Sequence, residues 1–119
     1  MKRGEIWTAA GCRNDAEKPR PVVIIQDGRF DRTDSITVCA FTTDPTDAPL
    51  FRLPITPDDD NGLHAACSLM VDKIATMPRS KIGIRIGRLG DEDVVRLNRA
   101  IVVFLGIAGP TADEPRLPQ

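Results

Sequence analysis

The residue in this 119-residue chain best suited to phosphate chemistry is Arg20, which stands between Pro19 and Pro21 at the head of the apolar run "VVII". Proline fixes its own φ and biases the residue before it towards extended backbone, so Pro21 narrows the conformations open to Arg20 and Pro19 restrains the backbone leading into it. A guanidinium aimed in this way loses little freedom on binding. Its planar fork suits a phosphate gripped through two hydrogen bonds. The plain alternative is a surface arginine that caps a loop. Other chemistry is sparse. His64 is the single histidine, which excludes a two-histidine ribonuclease mechanism, and its turn-rich surroundings favour a solvated side chain. Cys12, Cys39 and Cys67 are odd in number and widely spaced, neither a disulfide framework nor a zinc pattern. Cys39 and Cys67 read as small core residues and Cys12 as a free loop thiol. No cluster has metal-site spacing.

Charge is patterned more than it is abundant. The formal net charge is −1, so the molecule is not a polycation. Yet residues 73–88, "KIATMPRSKIGIRIGR", carry five basic residues and no acid, whereas residues 44–60 carry five acids and only Arg52. Such asymmetry permits a local basic face on a neutral protein, or simply solubilises exposed strands.

The elements that must position these residues are mostly short strands. "EIWTA" (5–9), "PVVIIQ" (21–26) and "SITVCAFT" (35–42) come first. "LFRLPI" (50–55) follows, with Pro54 marking an edge or strand end. "CSLMV" (67–71) and "KIATM" (73–77) run almost without a break. "KIGIRIG" (81–87) alternates, with Ile82, Ile84 and Ile86 expected on one face. One helix is expected, N-capped by Asp91 and ended by Gly106, with Val94, Leu97, Ile101 and Leu105 forming the stripe that meets the sheet. The tail "PTADEPRLPQ" (110–119) reads as loosely ordered, leaving one domain over residues 1–109. Many short strands and one terminal helix suggest a small bent barrel. No apolar stretch is long enough to span a membrane and no signal-peptide h-region is present, so a cytoplasmic location is expected.

The order of these pieces resembles the MazF/PemK family of toxin–antitoxin ribonucleases. "KRGEIW" is similar to the family's opening strand, "RPVVIIQ" to its Arg-Pro-apolar second strand and "VCAFTT" to the strand that ends in threonine. "GLHAACSLMVDKI" is similar to its central Gly-Leu, Ser- and Asp-containing segment, and "RSKIGIRIGRLGDEDVVRLNRAIVVFLG" to its closing strand and helix. The resemblance implies a mainly β fold, an SH3-like barrel with a C-terminal helix, that pairs as a homodimer. It implies a metal-independent, cofactor-free, sequence-selective endoribonuclease acting on single-stranded RNA by attack of the 2′-OH, and a cognate antitoxin with an acidic, flexible segment.

Residue by residue, the resemblance carries a catalytic arginine onto Arg20 and a threonine onto Thr42, with Thr43 the rival if the register slips by one. The general base is left between Asp15 and Glu17. RNA contacts are expected from Thr43, Ser68, Asp72, Lys73, Arg79, Lys81 and Arg85. Trp7 could stack on a base, though packing between sheet and loop is the simpler role. The chain departs from the family pattern in its longer loop "GCRNDAEKP", in Cys67 before the serine and in the Asp72-Lys73-Ile74-Ala75 run. Two other classes stay open. Gyrase-poisoning toxins of the CcdB type share the barrel and need no phosphate-directed arginine. A non-catalytic SH3-like module would want an aromatic groove, poorly supplied by four phenylalanines, one tryptophan and no tyrosine.

Overall fold

A computed structural model describes residues 1–10, 18–44, 48 and 50–107. Asp15, Glu17, Cys12 and the expected tail lie outside the described residues. The strands are β1 (Glu5–Ala9), β2 (Arg20–Ile24), β3 (Ser35–Thr42), β4 (Arg52–Ile55), β5 (Cys67–Pro78) and β6 (Ile82–Arg88), followed by helix α1 (Asp91–Phe104). They form one antiparallel sheet in the order β4-β5-β3-β2-β1-β6. The two segments expected at 67–71 and 73–77 are one 12-residue strand. Pro54 sits on edge strand β4, where its missing N–H disrupts no second ladder.

The sheet is bent but not closed, and the mainly β fold with one C-terminal helix is the one the resemblance implied. Among the described residues no ladder joins β4 to β6. Residues 56–66 bridge the seam instead. The Arg88 N–H donates to the Asp60 carbonyl at 2.9 Å. Asn61 is fully buried; its Oδ1 accepts from the Asp58 and Leu63 N–H groups at 3.1 and 3.0 Å, and its Nδ2 donates to the Thr56 carbonyl at 2.9 Å. Gly62 takes a φ of +69°, open to glycine at little cost. Its backbone lies so close to β6 that a Cβ would overlap the Ile86 carbonyl oxygen.

Both faces of the sheet are apolar, as continuous runs such as Val22-Val23-Ile24 require. Ile6, Val23, Cys39, Phe41, Leu53, Ile55, Leu69, Val71, Leu89, Leu97 and Ala100 pack together under α1. Ala9, Val22, Ile24, Ile36 and Val38 form a second cluster with Trp7, Met77 and Ile82 around it. Trp7 therefore packs, and its indole N–H donates to Glu5 Oε1 at 3.1 Å.

Irregular pairing explains where alternation fails. β6 slips twice against β1, between Ile6 and Trp7 and between Trp7 and Ala9. As a result Ile86 joins the cluster under the helix, Ile82 joins the opposite one and Ile84 is left exposed. The freed Ile84 N–H donates to Thr8 Oγ1 at 2.9 Å. A larger slip in β5 takes Cys39 opposite Ile74 but Phe41 opposite Leu69, so residues 70–73 bulge out of register and bend the strand.

The helix begins one residue earlier than expected, because its cap falls on the residue before Asp91. Gly90 is the N-cap and Asp91 lies in the first turn, where with Glu92 and Asp93 it favours the positive end of the dipole. Val94, Leu97, Ala100 and Ile101 form the stripe against the sheet. Leu105, expected in that stripe, is the C-cap and lies exposed. Gly106 has a φ of +74°, its N–H donates to the Val103 carbonyl at 3.1 Å and the Ile107 N–H to the Val102 carbonyl at 2.9 Å. This left-handed termination is the Schellman arrangement.

Candidate active site

β2 delivers Arg20 as its first residue, half-buried and opposite Ala9 of β1. Pro21 falls before the β2–β3 ladder begins at Val22, so its missing N–H leaves no gap there. β3 ends at Thr42, whose Oγ1 accepts from the Asp44 N–H at 3.1 Å. That turn fixes the hydroxyl oxygen and directs its own proton elsewhere.

Arg20, Thr42 and Thr43 line one cleft of about 330 Å³, together with Thr8, Pro19, Pro21, Phe41, Leu63, His64 and Cys67. Arg20 and Phe41 also wall an adjoining hollow of about 170 Å³, which Lys73, Ala40, Ala75 and Met77 complete. The two depressions form a track that passes Arg20 and Lys73. Among the described residues Arg20 and Lys73 are the cations that line them, and no carboxylate does.

The other sequence candidates divide sharply. Asp72 is held by Arg52 through hydrogen bonds at 2.8 and 3.1 Å between the guanidinium and the carboxylate. Those bonds hold its carboxyl below the usual range. Its role in the structure is to tie the β5 bulge to edge strand β4. Arg79 donates to the Thr33 carbonyl at 2.8 Å and to Asp31 Oδ1 at 3.1 Å, which also binds the N-terminal ammonium. Arg85 pairs with Glu5 Oε2 at 3.0 Å. Ser68 lies in the ladders between Thr42 and Pro54, and Lys81 is exposed in a 3₁₀ turn. The structure thus brings Arg20, Thr42 and Thr43 to one cleft, sets Lys73 beside Arg20 on the adjoining hollow, and places Asp72, Arg79 and Arg85 in ion pairs that brace the scaffold.

Sequence reasoning missed His64 as a wall of the cleft. The Gly62-Leu63 pair beside it was visible as a motif, but its packing on β6 was not. Cys39 is confirmed as core: its Sγ donates to the Met70 carbonyl at 3.3 Å, and burial pushes its thiol up to about 12. Cys67 is half-buried, and burial raises its thiol too. Among the described residues no group of three His, Cys, Asp or Glu side chains could hold a metal ion. No described helix is long and apolar enough to cross a membrane.

The Arg52–Asp72 pair has a testable pH signature. A carboxylate whose pKa is depressed on folding contributes stability above its unfolded value, about 3.9, and loses it as pH falls through the folded value. Asp72→Asn should cost about 1.5 kcal/mol at pH 7, the low end for hydrogen bonds to a charged group. The gap between wild-type and variant urea midpoints should close steadily below about pH 4. A gap that persists unchanged to pH 2 would show that the charge of Asp72 is not what stabilises.

An open, bent antiparallel sheet with a terminal helix, and an arginine and a threonine sharing one cleft, are what the resemblance to this toxin class implies. The chain belongs to the PemK-like, MazF-like toxins of type II toxin–antitoxin systems, whose family model matches residues 2–105. It is 56% identical over 109 residues to the probable endoribonuclease MazF of Mycolicibacterium smegmatis, covering 92% of this chain and all of that one. Among solved structures, a mycobacterial endoribonuclease in complex with its cognate antitoxin superposes with a TM-score of 0.73 at 20% identity, covering 92% of this chain and 99% of that one. The Mycobacterium tuberculosis toxin MazF-mt6 superposes with a TM-score of 0.70 at 24% identity, covering 85% and 95%.

Proposed function

We propose that this toxin is an endoribonuclease that cuts single-stranded RNA at selected sequences, without a metal or other cofactor, by attack of the ribose 2′-OH on the adjacent phosphorus. The observation that carries the reading is the meeting of Arg20 and Thr42, from two neighbouring strands, in one cleft. The family match and the 56%-identical relative named as an endoribonuclease support it. Arg20 stabilises the charge that gathers on the non-bridging oxygens of the pentacoordinate phosphorus, where a fixed donor is worth most. Thr42 donates to one of those oxygens. The 2′-OH proton passes to Asp15 or Glu17 on the loop before Arg20. Thr43 and Lys73 hold the strand on either side of the scissile phosphate, with Lys81 flanking. Ser68, Asp72 and Arg79 keep the walls in place.

The chain works as a homodimer and is restrained by a cognate antitoxin. Val103, Phe104, Leu105, Ile107 and Leu50 leave large apolar side chains exposed around the end of α1, surface that pairing would cover. A flexible acidic segment that folds on docking is the natural competitor for a cleft built around Arg20 and Lys73. A structural neighbour is itself bound to its cognate antitoxin.

Cut ends mapped on a long mixed-sequence RNA test the reading. Cleavage should recur at one short motif, leave 2′,3′-cyclic phosphate and 5′-hydroxyl ends, and proceed undiminished in a metal chelator. Ends carrying 5′-phosphate, or activity abolished by chelation, would refute it.

A further inference from the structure

Expelling the 5′-oxygen requires a proton, and few of the described side chains that line the cleft can supply one. Arg20 is a guanidinium, a group that does not release its proton in proteins. The hydroxyls of Thr8, Thr42 and Thr43 are alcohols, no stronger as acids than the ribose 5′-hydroxyl that leaves, so they offer no driving force for its protonation. Burial raises the Cys67 thiol, which makes it a poorer donor near neutrality. One described wall residue remains. Imidazole is the side chain type that both carries and releases a proton near neutral pH. His64 lines the same cleft as Arg20 and Thr42, from a third element.

The segment leading into His64 is firmly held. Asn61, three residues before, is fully buried and anchors the turn through three hydrogen bonds, to Asp58, Leu63 and Thr56. Gly62 presses its backbone on Ile86, which is also a cleft wall. His64 itself stays exposed, free to meet a bound strand. The cleft therefore has a cation from β2, a hydroxyl from β3 and an imidazole from residues 56–66.

Building on the nuclease reading above, we infer that His64 is the general acid of the cleavage. The 2′-oxygen forms a bond to phosphorus while its proton passes to the base. The bond from phosphorus to the 5′-oxygen breaks, and the leaving oxygen takes the proton of the His64 imidazolium. The products are a 2′,3′-cyclic phosphate and a 5′-hydroxyl, and neutral His64 regains its proton from water.

A substrate that needs no proton separates this role from binding or packing. An oligonucleotide spanning the mapped cut site is made in two forms, one ordinary and one with sulfur in place of the bridging 5′-oxygen. Thiolate leaves unaided. His64→Gln should cut the ordinary form more slowly by roughly 10²–10⁴-fold, the usual scale for a positioned acid. It should cut the sulfur form at nearly the wild-type rate, and bind a 2′-deoxy, uncleavable copy as wild type does. Equal losses on both forms would overturn the assignment, as would no loss on either. Wild-type protein that cuts neither form would overturn the nuclease reading itself, and the acid with it.

Discussion

Arg20→Lys is expected to abolish most RNA cleavage while leaving the fold intact. The lysine keeps the charge, and position 20 is only half-buried, so unfolding should be little changed. What is lost is the planar fork that holds two phosphate oxygens at once. Removal of one fixed donor to a developing oxyanion costs about 10²–10³ in rate, and the same scale applies here. The loss should appear in single-turnover cleavage at saturating enzyme, where the chemical step is read directly. A lysine variant that cleaves at the wild-type rate would remove Arg20 from the mechanism.

The second large effect lies outside the cleft. Gly87 of β6 faces the bridging loop so closely that an added Cβ would overlap the Asp60 carbonyl and lie 2.5 Å from the backbone of Asn61. Backbone cannot swing aside as a flexible side chain would. Gly87→Ala should therefore cost about 3 kcal/mol, the upper part of the range for overpacking a well-filled interior. It should also push residues 56–66, and His64 with them, away from Arg20. Denaturant unfolding should show the loss of stability, and cleavage measured well below the new midpoint should still be depressed. Wild-type stability in this variant would mean that the loop does not hold the seam.

The sequence made some of this readable and hid the rest for identifiable reasons. β1 and β3 were found to the residue because β-branched runs bounded by turns have no competing helical reading. Pro54 marked the edge strand because proline is excluded from central ladders. The faces of β6 were misread because Ile82, Ile84 and Ile86 alternate strictly in sequence while two slips against β1 rotate them in space. Bulges depend on the partner strand, which periodicity within one segment does not record. Arg20 and Thr42 stood out through motif and position. The pairing of Asp72 with Arg52, 20 residues away, and of Arg79 with Asp31, 48 away, has no local signature. A run of basic residues consequently looked like a binding face when part of it is committed internally. His64 was passed over because a turn-rich loop normally implies solvent, and only tertiary packing on β6 turns that loop into a wall.

The order of strands in the sheet also governs when this toxin can begin to act. β1 has β2 on one side and β6 on the other, so the first strand of the chain waits for the last. Ile86 of β6 is a wall of the cleft, and the loop carrying His64 rests on it. A chain emerging from the ribosome N-terminus first holds Arg20 and Thr42 early, but has nothing to shape the groove around them. The groove is completed only after Arg88 has left the exit tunnel and the longest loop in the topology has closed, a slow step for pairing so distant in sequence. Until β6 is in place, the arginine and the threonine lack the wall that shapes a groove around them.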